Sequence, residues 1–104
     1  MKIVIETIPH NNQRYPTVGD WFYGANGDLF VKVSELGDWR EEALVAVHEL
    51  VEVLLCRHQG VTQDVVDKFD VEYEKNRPQD DVSEPGDAVE APYRRQHCIA
   101  TGVE

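Results

Sequence analysis

One stretch limits what this chain can become more than any other: Asp38 to His58, D-W-R-E-E-A-L-V-A-V-H-E-L-V-E-V-L-L-C-R-H. It reads as a single long helix. Asp38 is placed to cap its N-terminus, with Glu41 three residues on completing the pattern of a capping box. Gly60 stands where helices end, and Arg57 and His58 suit the negative end of the dipole. At helical spacing, Leu44, Val47, Leu50, Val51, Leu54 and Leu55 form one broad apolar side, the expected core face. Glu42, Glu49 and Arg57 lie on the other side or its margin. His48 and Glu52 are only ~40° apart and fall inside the apolar sector. Burying a lone carboxylate costs several kcal/mol, so such a group is neutralised, paired or bound to a metal.

The rest of the chain is expected to build a small α+β domain around that helix, one domain spanning residues 1–104. Residues 2–8, K-I-V-I-E-T-I, have strand character. Trp21–Tyr23 and Leu29–Leu36 flank A-N-G-D, in which Asn26-Gly27 is a hairpin signal. These segments suggest an antiparallel sheet of about three strands packed on the motif helix. Thr62 is a cap for a second helix to about Asn76, with Val65, Val66, Phe69 and Tyr73 on one face. Its acids, Asp64, Asp67, Asp70, Glu72 and Glu74, read first as a solvated face. Residues 77–91 form a long irregular stretch, either an acidic connector or a lid. Pro92 suits the first turn of a last helix carrying Tyr93, His97, Ala100 and Glu104 along one side.

Composition narrows the partners. A net charge of −10, with the acids spread along the chain, argues against nucleic acid and anionic membrane surfaces. Two cysteines, Cys56 and Cys98, make no disulfide framework and read as small buried hydrophobes. No signal peptide or bilayer-spanning run is visible, so the expectation is a cytoplasmic protein. Trp21 and Trp39 read as core or rim aromatics, and His10 has no evident partner.

The H-E-L-V-E run carries the chemistry. His48 and Glu52, one turn apart, are spaced to bind one metal. Glu49, about 100° around the helix, can reach toward a water without being a ligand. His97, on the last helix, is the candidate third ligand, and two His plus one Glu is an accepted zinc set. His58 is ~15 Å along the axis from His48 and too far to share the ion.

This layout resembles the zincin-like metallopeptidases in minimal form: a short antiparallel sheet, a strand leading into H48-E49-L50-V51-E52, and a further helix with His97 to Ala100. Glu52 replaces the second His of their H-E-x-x-H helix, and His97 stands where the glutamate-using members place Glu. The resemblance implies zinc, with Glu49 as general base on a zinc-activated water attacking a peptide carbonyl. It also implies a substrate lying along Leu29–Leu36 and Tyr93 polarising the carbonyl oxygen. Two other readings stay open at this stage. One is a small non-enzymatic accessory or interaction protein, whose His48–Glu52 pair is structural or holds a structural or vestigial metal. The other is a magnesium-dependent nucleotide hydrolase using Glu49, Glu52 and Asp64 or Asp67.

Overall fold

The computed structural model describes residues 1–78 and 81–104. Gln79 and Asp80, in the expected irregular stretch, lie outside the described residues. The fold is α+β, with three strands and three helices: β1 Ile3–Ile8, β2 Gly19–Tyr23, β3 Leu29–Ser34, α1 Trp39–His58, α2 Gln63–Asn76 and α3 Arg94–Val103. Two single 3₁₀ turns, His10–Asn12 and Pro85–Asp87, interrupt the connections. Among the described residues no helix is long and apolar enough to cross a membrane.

The sheet corrects the all-antiparallel expectation. Its order is β1-β3-β2, with β1 parallel to β3 and β2 antiparallel to it. The reason lies in the side chains. Leu29, Val31 and Val33 on β3 are fully buried, so β3 takes the centre. The Asn26-Gly27 turn, with Gly27 at φ 85°, lays β2 against one side of β3 and leaves the other side for β1. Each of those three side chains stabilises the fold by about 1.5–3 kcal/mol through burial.

Helix α1 begins and ends as the sequence indicates. Asp38 accepts a hydrogen bond from the Arg40 amide at 2.9 Å, a cap worth about 1 kcal/mol. The reciprocal arm of the expected box is absent; instead Glu42 reaches back to accept from the Leu36 amide at 2.8 Å. Gly60, at φ 76°, breaks the helix in the left-handed conformation a side chain would resist. Thr62 caps α2 as expected. Pro92 does not open the last helix: it lies in a turn, and α3 starts at Arg94 with Tyr93 as its cap residue.

The orientation of α1 shifts the expected core face: Leu50, Val51 and Leu55 are half-buried, and Leu50 packs against the core, but the rest of the face is turned out. Leu44, Val47 and Leu54 are between 41 and 45% exposed, whereas His48, Glu52, Val53 and Cys56 are buried. The core lies between that buried side, β2, β3, Val66 of α2 and Ala91 and Tyr93 before α3. Trp39 is exposed rather than at a core or rim position, and Cys98, expected inside, is also exposed. His10 does have a partner, the Ser34 hydroxyl at 2.8 Å.

Candidate metal centre

Helix α1 supplies two of the three central groups because residues four apart share one face. The third comes from α3, which packs along α1 so that His97 meets them. Three atoms converge: His48 Nε2 and His97 Nδ1 are 3.1 Å apart, and Glu52 Oε2 lies 3.2 Å from the first and 3.0 Å from the second. All three side chains are at least nine-tenths buried. Donors around a tetrahedral zinc with bonds of about 2.0–2.1 Å are about 3.3 Å apart. The triangle is already close to that size.

The outer atoms of each group are also engaged. His48 Nδ1 lies 2.8 Å from a Glu104 carboxylate oxygen. His97 Nε2 faces Glu84 at 2.9 Å and Asp87 at 3.1 Å. Trp21 donates its indole N–H to the second oxygen of Glu52 at 3.1 Å. Each imidazole therefore has a carboxylate to receive its outer N–H, the arrangement that orients a metal-binding histidine and turns its other lone pair inward. Two inward lone pairs and a carboxylate oxygen repel one another unless something positive sits among them.

Electrostatics supports the same conclusion. Burial lowers the basicity of His97, but Glu52 and Glu84 outweigh it and push its pKa up to about 10. For His48 burial is likewise overcome, by Glu52 and Glu104, and the pKa rises. Burial works to raise the Glu52 pKa, yet the two imidazoles and Trp21 hold it below the usual carboxylate value. These shifts describe a cluster whose carboxylates favour positive charge at the imidazoles.

Gly86 fixes the approach of the 3₁₀ turn to this cluster. A Cβ there would come within 2.4 Å of the His97 ring, so only glycine lets the Pro85–Asp87 backbone lie against the imidazole. The irregular stretch is thus partly a strap: it brings Glu84 and Asp87 onto His97.

The triangle borders a cavity of about 290 Å³ whose wall includes Glu49, Asp70, Tyr93 and β2 from Gly19 to Trp21. Glu49 is half-buried and rests against Gly19, where a Cβ would be 2.6 Å from its carboxylate oxygen. Burial raises its pKa well above the ordinary value, helped by the nearby charges of Glu52, Asp20 and Asp70. The Tyr93 hydroxyl donates to buried Asp70, as does Tyr15 at 2.9 Å. Tyr93 presents only its ring edge to His97, with centroids 6.3 Å apart, so its hydroxyl is committed elsewhere.

Other expectations are placed as follows. His58 is exposed at the end of α1 and apart from the cluster. Asp64 is exposed, and Asp67 is gripped with Asp20 by Arg14 at 2.7–3.1 Å. Neither joins a metal-competent grouping with Glu49 or Glu52 among the described residues. β3, the expected substrate strand, is central and paired on both sides, so the strand beside the cavity with an unpaired edge is β2. The sequence reading missed Trp21, Asp70, Glu84, Asp87 and Gly86. Only the spacing of Tyr93, His97, Ala100 and Glu104 on one helix side announced any of the surrounding shell.

In comparisons with protein-family models, with curated proteins and with solved structures, this chain matches none.

Proposed function

We propose that this chain is a metal-dependent hydrolase whose ion is held by His48 Nε2, Glu52 Oε2 and His97 Nδ1. The observation that carries this reading is the convergence of those three buried atoms at 3.0–3.2 Å, with each imidazole backed by a carboxylate. Two imidazoles and a carboxylate suit zinc or a neighbouring divalent transition metal. When bound, such an ion supplies Lewis-acid activation of water and polarisation of a carbonyl oxygen.

The residues of the chain divide the remaining work. Glu49, on the cavity wall beside the triangle, is the group assigned to take the proton from the attacking water. Trp21 holds Glu52 in orientation, and Glu84, Asp87 and Glu104 do the same for the imidazoles. A peptide or protein substrate is the zincin-like element of the proposal, with β2 in place of the central β3 as the strand it lies beside.

One observation favours a second, non-enzymatic reading. The outward backbone groups of β2 are partly taken by this chain's own side chains. Thr17 donates to the Gly19 carbonyl, Arg14 to the Trp21 carbonyl, and the Tyr23 amide donates to Gln63. A peptide would have to displace them before pairing as a strand. Under that reading the metal is structural and joins α1 to α3.

Metal analysis of the purified chain after zinc loading tests the shared premise, with one ion per chain expected and none in His48→Ala. Zinc uptake at neutral pH should also release a proton, because the His97 imidazole, pushed up to about 10, carries one before the ion arrives; calorimetry in buffers of different ionisation heat reads this. Glu49→Gln separates the readings. It should retain zinc and lower cleavage of a peptide library by about 10²–10⁴-fold. A chain that takes up no zinc overturns both readings, and a zinc-loaded chain without cleavage leaves only the structural one.

A further inference from the structure

The opposite edge of the sheet is open, and its sequence is self-complementary. The Leu29 amide donates to the Lys2 carbonyl and the Glu35 amide to the Ile8 carbonyl, so the even-numbered residues of β1 turn their backbone groups toward β3. By the two-residue alternation of a strand, Ile3, Ile5 and Thr7 turn theirs outward. Among the described residues no helix covers this edge. α1 lies over β3 and β2, leaving Ile3 and Ile5 46% and 45% exposed on the same face where their neighbours Leu29 and Val31 are fully buried. Natural edges of this kind are usually blunted by proline, an inward charge or a covering loop. Among the described residues β1 has no proline, no charge on its helix-covered face and no covering loop between Ile3 and Ile8; its one charge, Glu6, stands on the other face.

We infer that β1 is a homodimerisation edge, on which a second copy of this chain pairs antiparallel about a two-fold axis through Val4. Symmetry and charge choose this register. It sets Ile3 directly opposite Ile5 of the second copy, both with outward N–H and C=O groups, so each such pair exchanges two hydrogen bonds. On the other face it sets Lys2 opposite Glu6, twice. Shifting the axis to Ile5 keeps the hydrogen bonding but faces Val4 with Glu6 and strands Lys2. The Val4 register joins two three-stranded sheets into one of six and gathers four isoleucines on the helix-covered side. The two candidate metal centres stay at the outer ends, because the buried flank of α1 faces β2.

Sedimentation equilibrium of the full chain tests the inference. Wild type should be dimeric, and Ile5→Lys should be monomeric with unchanged circular dichroism. Glu6→Lys turns two attractive pairs repulsive and should weaken the dimer about tenfold. Lys2→Glu combined with Glu6→Lys restores opposite charges across the axis and should recover the wild-type constant. It does not recover the contact between Glu6 and Lys32 within one chain, so recovery reports the interface alone. A wild-type monomer at millimolar concentration overturns the inference. So does a dimer indifferent to Ile5→Lys, or a double variant no tighter than Glu6→Lys.

Discussion

The two flanks of α1 invert the usual relation between polarity and burial. One flank carries Leu44, Val47 and Leu54 and lies substantially exposed. The other carries His48 and Glu52 beside Val53 and Cys56 and is buried among β2, α3 and the 85–87 turn. The difference teaches that a buried polar group is decided by its partners. Indole, imidazole and carboxylate groups from three separate segments, β2, α3 with its terminal Glu104, and the 85–87 turn, complete the hydrogen bonding around the polar flank. Nothing comparable anchors the apolar flank within the described residues, and a helix packs only one side against a small sheet.

The largest effect expected from breaking this contrast is on the polar flank. His97→Ala removes a donor and leaves the Glu52 carboxylate short of a buried partner, which should cost about 3–5 kcal/mol and abolish zinc binding. Urea unfolding with and without zinc measures both. A variant as stable as wild type would mean the flank is not closed.

Next comes Asp70, which faces the same cavity. Burial raises its pKa from 3.8 to about 7, against the pull of the Tyr93 and Tyr15 hydroxyls. The folded chain then keeps a proton that the unfolded chain has lost. Stability contributed by this group is full below about pH 4 and declines as pH rises to about 7, by up to about 4 kcal/mol. Asp70→Asn should flatten that part of the pH–stability profile. A slope unchanged in the variant would assign it to other groups.

Gly86→Ala is a smaller perturbation of the strap. The added methyl meets the His97 ring and should cost about 1–3 kcal/mol by overpacking, with weaker zinc binding. Unaltered zinc affinity would show that the turn does not position His97. Smallest of all should be Leu44→Ser on the apolar flank, within about 0.5 kcal/mol. A loss of several kcal/mol there would show the flank to be covered in solution and would weaken the contrast.

Much of the candidate site was legible because its central signal is local. The four-residue step from His48 to Glu52 is fixed by helical geometry, and the side of α3 bearing His97 and Glu104 follows from the same period. Legibility ended where long-range packing began. No periodicity in G-D-W-F-Y tells that Trp21 will donate to Glu52, and no composition tells that E-P-G-D will close on an imidazole. The parallel pairing of β1 was equally hidden: strand propensity marks a strand but not its neighbour.

What the sequence determined alone is the inventory of elements: the capped long helix, the Asn26-Gly27 turn, the Thr62-capped second helix, and the placing of ionisable groups one turn apart. These depend on contacts within a few residues, which the order of side chains specifies directly. The tertiary structure decided which flank of α1 turns inward, which strand takes the middle, and which distant acids complete the histidines. Those outcomes compare whole packings against one another. The apolar area of a helix states how much is available to bury, while the hydrogen-bond partners brought from elsewhere decide whether a polar flank can be buried in its place.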